Sequence, residues 1–300
     1  MARKKGKGGG KRKRAQQRAQ YDELDKYPVI PPHAFARIVR DKQTLNILYQ
    51  IIEPPLTKKE QEQREEIMDI FIRSLTANIE EIDADPDAYL RTALDKVIKS
   101  YGMKINKKSK SKMFYYLRRD LIGYGKMDML MHDINVEDIS LDGTNVPIFA
   151  YHRKFESIET TCVWETDQEL ESYVIKLAQR CGKHISVAEP LLDATLMDGS
   201  RIVMKLGREI STRGSAFCIR RFKDDPFSPA DIVAFRTMSS LMAAYLWVCF
   251  QNEIPMLFVG GTASGKTTTL NAMCIFIPWQ MKIVSIESTR EVNIPQPNWV

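Results

Sequence analysis

The sequence predicts a mixed fold of the α/β and α+β classes with three structured parts. Between Thr57 and Met131 apolar residues recur at helical spacing, whereas from about Glu137 they recur at every second residue, as in strands. Near the end of the chain an apolar run, a glycine-rich loop and a helical pattern follow one another, as in a βα unit. We therefore expect a helical module, then an α+β domain, then the beginning of an α/β domain.

A basic tail precedes these parts. Residues 1–20 contain nine Lys or Arg and no acid, whereas the whole chain of 300 residues has 44 bases and 38 acids. Without the tail the chain has 35 bases and 38 acids, a net charge near −3. The Lys, Arg, Gly and Gln content predicts disorder over residues 1–20. The charge suits nucleic acid or an anionic membrane, but the lack of interleaved aromatic residues favours a solvated tail without a specific partner.

The composition excludes several classes of protein. Hydrophobic residues make up 44% of the chain, which is enough to build packed cores. The longest apolar run, Leu241–Phe250, is too short to span a membrane, and no apolar stretch follows the basic start as in a secretory signal. Five scattered cysteines without a C-x-x-C pair indicate reduced thiols rather than a zinc site or disulfides. They are Cys162, Cys181, Cys218, Cys249 and Cys274.

Residues 21–131 are predicted to form a mainly helical module. One helix carries an apolar stripe of Ile67, Ile70, Phe71 and Leu75. A second helix begins at Asp85-Pro86, which supplies an N-cap and a first-turn proline, and ends at Gly102. Lys104–Lys112 is expected to be a basic linker to the next helix. Nothing in this module is typical of catalysis, which favours a role in docking or assembly.

Residues 132–226 are predicted to form an α+β domain. Asp142-Gly143 is a turn sequence between the first two strands, Asp167 is the expected N-cap of a helix, and Gly182 is its expected end. Asp198-Gly199 marks a second turn. The predicted strands are 138–141, 146–152, 154–160, 201–206 and 217–222.

Residues 227–300 are predicted to begin an α/β domain that contains a phosphate-binding loop. Ser228-Pro229 opens its first helical section. Residues 260–267, with the sequence GGTASGKT, match the pattern G-x-x-x-x-G-K-[ST]. Met256–Val259 reads as a buried parallel strand before the loop. The helical stripe after the loop consists of Leu270, Met273, Cys274 and Ile277.

The residue types of the loop suit nucleotide phosphates. Glycines let the backbone wrap closely, so that N–H groups converge on phosphate oxygens at a helix N-terminus. Lys266 can reach the β- and γ-phosphates, and the Thr267 hydroxyl can ligate Mg²⁺. The predicted nucleotide-binding residues of the loop are Gly260, Gly261, Thr262, Ala263, Ser264, Gly265, Lys266, Thr267 and Thr268.

A carboxylate and a group of arginines are further candidates. Residues 282–286 read as the next strand, and Glu287 at its carboxyl end could orient or deprotonate the water that attacks the γ-phosphate. The alternative is a solvated acid at a strand end. Some of Arg201, Arg213, Arg220 and Arg221 could reach the nucleotide across a domain cleft, because guanidinium pairs well with phosphate. The alternative for them is an exposed position on a small sheet.

Several segments resemble one protein family. Residues 258–272, FVGGTASGKTTTLNA, resemble the Walker A segment of the GspE-like type II/type IV secretion ATPases, and within them the archaeal branch that assembles type IV pili and archaella. Upstream, EDISLDG at 137–143, EPLLDATL at 189–196 and TRGS at 212–215 are similar to the N-terminal domain of that family.

The resemblance implies an ATPase subunit with an α+β N-terminal domain and a RecA-like domain, with ATP and Mg²⁺ between them. It implies a homo-hexamer at the cytoplasmic face of the cell membrane, bound to a polytopic platform protein and to no specific nucleic acid. Residues 285–291 correspond to the aspartate box of the family, and Glu287 to its catalytic glutamate. Lys266 would act in catalysis with Glu287, and Arg201, Arg213 and Arg220 would approach the nucleotide.

The sequence also departs from the family pattern. Ser288 stands where the family has an aspartate, and the 300 residues contain neither a Walker B segment nor a histidine box. We therefore expect a C-terminally truncated ATPase that hydrolyses ATP inefficiently by itself. Two alternatives remain open at this point, namely a P-loop motor that translocates nucleic acid and a non-hydrolysing assembly or regulatory fragment.

Overall fold

A computed structural model of the chain describes residues 20–74, 85–222, 226–261, 264–287 and 292–300. The predicted disordered tail lies outside the described residues, except for Gln20. The chain divides into two compact units, one running up to residue 192 together with 203–219, the other formed by 193–202 and 220–300. Both strands and helices are present, which confirms the predicted mixed class. The predicted domain limits at residues 131 and 226 stay predictions.

The chain starts with three antiparallel strands, β1 (Tyr21–Ile30), β2 (Ala34–Asp41) and β3 (Ile47–Ile52). The prediction of a mainly helical module over residues 21–131 is therefore wrong for 21–52. The stretch contains Pro28, which fits because β1 is an edge strand of the sheet, a position that tolerates proline.

The helical pattern that follows is confirmed. Asp85 accepts the Ala88 N–H as the predicted N-cap, and Gly102 has a φ of +60° beyond the end of the second helix. The prediction of a basic linker over Lys104–Lys112 is wrong, because Asn106 accepts the Ser109 N–H and a helix starts at Lys107. The helices are α1 (Lys58–Ser74), α2 (Pro86–Ser100), α3 (Lys107–Leu117) and the short α4 (Asp128–His132). The first three of them share a core of Ile67, Phe71, Leu90, Leu94, Val97, Met113 and Leu117.

The α+β region contains six strands and one helix. The turn after the first strand is confirmed by Asn145, whose φ is +59°, and by Gly143, whose φ is +129°. The helix cap lies one residue earlier than predicted, because Thr166 accepts the Glu169 N–H and Asp167 is already helical. The elements are β4 (Val136–Leu141), β5 (Pro147–His152), β6 (Glu156–Val163), α5 (Asp167–Arg180), β7 (Leu191–Thr195), β8 (Arg201–Lys205) and β9 (Ala216–Arg220).

The nine strands of the described residues belong to one sheet, in the order β1-β2-β3-β6-β5-β4-β9-β8-β7. Strands β4, β5 and β6 pair antiparallel, as consecutive strands with short turns do. The β3–β6 pair is parallel, with Leu48 opposite Glu159 and Tyr49 opposite Thr160. This pair joins the first three strands to the rest of the sheet.

The second unit contains three further helices, α6 (Pro229–Ala234), α7 (Ser240–Gln251) and α8 (Lys266–Cys274). Ser228 and Asp231 form a capping box at α6, as the cap sequence predicts. The predicted strands 256–259 and 282–286 do not join a sheet, and Leu257 and Ile286 are exposed. Among the described residues, segment 282–286 forms an isolated parallel bridge between Ile283 and Trp299. Backbone hydrogen bonds of 2.9 to 3.0 Å accompany it, from the Ile283 N–H to the Asn298 carbonyl and from the Ser285 N–H to the Val300 carbonyl. A parallel strand needs hydrogen-bonded neighbours, and apolar content alone does not supply them.

None of the helices that the structure describes is long and apolar enough to cross a bilayer.

Candidate functional site

The glycine-rich loop leads directly into helix α8. Gly265 precedes the helix with a φ of +83°, a conformation that L-residues with a side chain rarely adopt. A Cβ at Gly260 would lie 2.4 Å from the Ser264 Oγ, so a larger residue there would displace that hydroxyl. Thr262 and Ala263 lie outside the described residues. Glycine is thus needed at position 265, where the described chain enters the helix.

Polar groups of the loop and of the first turn of α8 are concentrated at one point. The Lys266 ammonium donates to the Gly261 carbonyl at 2.5 Å, and the Ser264 hydroxyl donates to the same oxygen at 2.9 Å. The first backbone bond of the helix runs from the Thr269 N–H to the Gly265 carbonyl at 2.9 Å. The N–H groups of Lys266, Thr267 and Thr268 therefore have no acceptor inside the helix, and they carry its partial positive charge.

Helix α8 is held by apolar contacts on two sides. Ala272 and Met273 are fully buried against Ile232, and the Phe276 ring stacks on Trp247 with centroids 5.2 Å apart. Cys274 packs on the other side, and burial raises the pKa of its thiol to about 11. Cys274 is thus a core residue, and the raised pKa keeps its thiol protonated at neutral pH.

Two polar residues that the sequence analysis missed connect α8 to the segment 292–300. The Asn271 side chain accepts the Asn293 N–H at 3.0 Å. The buried Gln296 amide donates to the carbonyls of Cys274 at 3.1 Å and Ile277 at 3.2 Å, beyond the last turn of the helix. An amide near the end of the chain has no local sequence signal that identifies it as a helix cap.

Glu287 lies in the same unit as the loop. Its carboxylate accepts the Val292 N–H at 3.0 Å, and it lines a cavity of about 360 Å³ together with Ser285, Trp299 and Val300. The Trp299 indole donates to the Ser285 hydroxyl at 3.0 Å in this cavity. Asn293 is the residue after Val292, so the backbone that binds Glu287 is also bound to α8.

The three arginines that the resemblance assigns to the nucleotide lie at different places. The Arg201 guanidinium is paired with the Asp193 carboxylate at 2.6 Å, within the β7–β8 hairpin. Arg220 is exposed at the end of β9, in the second unit, and Arg213 belongs to the first unit. The Arg213 carbonyl accepts the Thr144 N–H at 2.9 Å. Of the sequence-predicted set, the structure joins Lys266 to the glycine loop and Glu287 to the segment bound to α8.

The described residues contain no cluster of three His, Cys, Asp or Glu side chains able to hold a metal ion. Mg²⁺ bound with a nucleotide needs no such cluster, because it keeps several waters and takes one or two protein ligands besides phosphate oxygens. A single hydroxyl in the first turn of α8, such as that of Thr267, fits this requirement.

Comparison with known proteins gives one consistent result. Residues 155–300 match the family model described as "Type II/IV secretion system protein". The chain is 35% identical over 278 residues to an uncharacterized protein of Methanocaldococcus jannaschii, covering 91% of this chain and 49% of that protein. It is 27% identical over 179 residues to the type IV secretion system protein VirB11 of Bartonella henselae, a match that covers 49% of this chain and 50% of that protein. The chain thus spans about half the length of these two curated relatives.

Solved structures with similarity to the chain come from the same group of proteins. The VirB11 ATPase of the Brucella suis type IV secretion system, in complex with sulphate, aligns with 62% of this chain and 61% of its own at 19% identity and a TM-score of 0.27. The pilus retraction motor PilT with bound ADP aligns over 56% of this chain and 47% of its own chain, at 14% identity and a TM-score of 0.35.

Proposed function

Residues 155–300 of this chain belong to the type II/IV secretion system protein family, and on that premise we propose that the second unit binds ATP with Mg²⁺ as part of a secretion or pilus motor ATPase. The observation that carries the proposal is the junction of the glycine loop and α8. There Gly265 turns the chain, three helix amides lack intrahelical acceptors, and the Lys266 ammonium points back to the loop.

The residues of this junction suit a triphosphate. Backbone N–H groups and the helix N-terminus favour phosphate oxygens, which would satisfy the amides of Lys266, Thr267 and Thr268. Lys266 would exchange the Gly261 carbonyl for a phosphate oxygen, a stronger charge-assisted contact. Mg²⁺ neutralises charge on the β- and γ-phosphates when it is bound, and the Thr267 hydroxyl would be its protein ligand.

Glu287 is the proposed catalytic carboxylate. A carboxylate held by a backbone N–H keeps a defined orientation and retains lone pairs that can accept a proton from water. In this role it would position and deprotonate the attacking water, while Lys266 stabilises charge on the transferred phosphoryl group. Arg201, Arg213 and Arg220 stay proposed as contributors to phosphate binding, and Arg201 would have to leave Asp193 to act there.

The assembly is proposed from the family resemblance. Homo-hexamers at the cytoplasmic face of the membrane, bound to a polytopic platform protein, would convert the hydrolysis of ATP into motion of their N-terminal domains. The VirB11 relative supports the general class, and the proposal extends to pilus or archaellum assembly.

Nucleotide binding tests the proposal directly, because it requires the loop and α8 rather than turnover. Calorimetric titration of the chain with Mg²⁺ and a non-hydrolysable ATP analogue is expected to show binding. Lys266→Ala removes a charge-assisted contact worth about 1.5–3 kcal/mol, so its affinity should fall by about ten- to a hundredfold. Lys282→Ala, which removes an exposed lysine of the same unit, is the control and should bind as the unmodified chain does. Equal affinity in Lys266→Ala, or no binding by the unmodified chain, would refute the proposed function.

A further inference from the structure

A second concentration of positive charge lies outside the candidate nucleotide site, where helix α2 turns into helix α3. We call residues 91–112 the α2–α3 corner. They contain eight bases and one acid, a net charge of +7, in 22 residues. Without the corner and the tail, the chain has 27 bases and 37 acids, a net charge of −10. The corner is therefore a basic patch on an acidic body.

Most of this charge is available to a partner. Lys110 pairs with Asp95, Lys112 pairs with Glu60, and the Arg91 guanidinium lies 4.0 Å from the centre of the Phe114 ring. The other five lysines are exposed, and they form no ion pair with any residue that the structure describes. They are Lys96, Lys99, Lys104, Lys107 and Lys108.

The helices hold these lysines in a fixed arrangement. Gly102 turns the chain, the Met103 N–H binds the Ile98 carbonyl at 3.0 Å, and Asn106 caps α3. The first turn of α3 contains lysines and no acid, so their charge adds to the positive end of the helix dipole. Positive charges at the positive end of a helix repel the helix dipole, and an anionic partner would offset this repulsion.

The turn also exposes one aromatic ring among these lysines. Tyr101 is 59% exposed beside Lys99 and Lys104, and Met103 and Ile105 are partly buried against the core of the helices. An exposed tyrosine among lysines is typical of a surface that lies at a membrane interface, where the ring meets the headgroup level. Long lysine stems can lie along such a surface while their ammonium groups reach anionic headgroups.

We propose that the α2–α3 corner binds the surface of an anionic lipid bilayer directly. Nucleic acid is the competing partner, and three observations disfavour it. Seven of the eight basic residues are lysine, which lacks the planar guanidinium fork of arginine. The single arginine is stacked on Phe114. One exposed aromatic ring cannot stack successive nucleobases of a strand. The proposal suits a motor located at a membrane, but it does not depend on nucleotide binding at α8.

Vesicle binding by the full chain tests the proposal. Vesicles of equal parts phosphatidylcholine and phosphatidylglycerol, sedimented in 0.1 M salt, should bind the chain far better than vesicles of phosphatidylcholine alone. A lysine at an anionic surface contributes about a fivefold gain in partitioning. The triple variant Lys99→Gln/Lys104→Gln/Lys107→Gln should therefore partition about a hundredfold more weakly. Tyr101→Ala should weaken binding further.

The control variant removes three exposed lysines elsewhere in the first unit, Lys154→Gln/Lys183→Gln/Lys205→Gln, and changes the net charge equally. It keeps the basic tail and the corner, so it should bind nearly as the unmodified chain does. Equal weakening of both triple variants, or equal binding to both kinds of vesicle, would overturn the proposal. Loss of binding to a 30-base-pair DNA duplex by the corner variant, with vesicle binding unchanged, would overturn it in favour of nucleic acid. Calorimetric nucleotide binding should be the same in both variants, which separates this proposal from the function proposed for α8.

Discussion

At the scale of single residues, the most demanding interaction of the first unit is the buried carboxylate of Asp133. The hydroxyls of Tyr27 and Tyr49 each donate to one of its oxygens at 2.6 Å, and the Asn135 N–H donates to the other at 2.9 Å. The Tyr27 oxygen in turn lies 3.0 Å from the His152 Nε2. A carboxylate that is 1% exposed needs all of these donors, because an unpaired buried charge is costly.

Removing one donor from this carboxylate should destabilise the first unit. Tyr49→Phe deletes a hydroxyl and leaves the shape of the ring, so the loss is the unsatisfied hydrogen bond, about 1–3 kcal/mol of the free energy of unfolding. Urea denaturation followed by circular dichroism measures it. Tyr151→Phe, at a ring that is 44% exposed, should lose little. Equal losses in the two variants would contradict the assigned role of Asp133.

The buried His152 should make stability depend on pH. Burial lowers the pKa of this imidazole from its ordinary value of 6.5, so the folded state favours the neutral ring. The Lys154 N–H donates to Nδ1 at 3.1 Å, which leaves the proton on Nε2 to bind Tyr27. The contribution of His152 to the free energy of unfolding is therefore fully present above pH 6.5. It is lost as the pH falls toward the lowered pKa of the folded state.

His152→Gln should therefore flatten the pH dependence of stability, since the amide can still donate to Tyr27 but does not titrate. The measurement is the free energy of unfolding by urea between pH 7.5 and pH 5. His184→Gln, at an exposed position, should keep the slope of the unmodified chain. A slope in His152→Gln as steep as that of the unmodified chain would show that another group causes the pH dependence.

At the scale of elements, helix α8 and the segment 292–300 act as one piece through Asn271. Its side chain binds the Asn293 N–H, and the preceding N–H, that of Val292, binds Glu287. The position of the carboxylate thus depends on a helix whose first turn carries Lys266.

Asn271→Ala should loosen this connection without unfolding α8. Removal of a hydrogen bond worth about 1 kcal/mol should speed amide exchange at Val292 and Asn293 about fivefold. Hydrogen exchange read by mass spectrometry on a peptide covering 292–300 would show the change. Asn252→Ala is the control, because the Asn252 amide donates to the Val248 carbonyl at 2.7 Å at the end of α7. Unchanged exchange over 292–300 in Asn271→Ala would exclude the connection.

Local signals in the sequence predict the helices better than the strands. Caps such as Asp85 and Ser228 act within three residues, so the helix starts could be placed from the sequence alone. A further signal was missed, since Thr57 and Glu60 form a reciprocal capping pair with bonds of 2.8 and 3.2 Å. The glycine before α8 was likewise predictable, because Gly265 adopts a φ of +83° that favours glycine.

Pairing between distant segments could not be predicted in the same way. Residues 21–52 become strands through partners in register, and the parallel pairing of Tyr49 with Thr160 has no local signature. The apolar run at 256–259 shows the opposite case. Its composition favours a strand, but no described segment pairs with it. Contacts such as Asn271 to Asn293 join side chains to backbone across 22 residues and leave no periodic pattern.

At the scale of the whole molecule, the two units differ in how well they cover their apolar residues. In the second unit Leu241 is 80% exposed, Leu257 is 87% exposed and Ile286 is 96% exposed. Tyr245 and Val248 continue the exposed face of α7. Contiguous apolar surface of this kind marks either an interaction site or a tendency to associate.

The chain should therefore bind the dye ANS strongly in its folded state. Leu241→Lys/Val248→Lys places two charges on the exposed face of α7 and should lower the fluorescence of bound dye several-fold. Ile134→Lys/Val187→Lys changes two exposed apolar residues of the first unit and should leave the fluorescence unchanged. Equal fluorescence in all three proteins would show that the exposed face of α7 does not bind the dye.

The parallel β3–β6 pair has a consequence for biosynthesis. Leu48 pairs with Glu159, a residue 111 positions later in the chain. At a synthesis rate of about 5–20 residues per second, the partner strand emerges about 6 to 22 seconds after β3. During that interval β3 presents an open edge to solvent and to any other nascent chain. We expect this interval to be the time when the growing polypeptide most needs a chaperone.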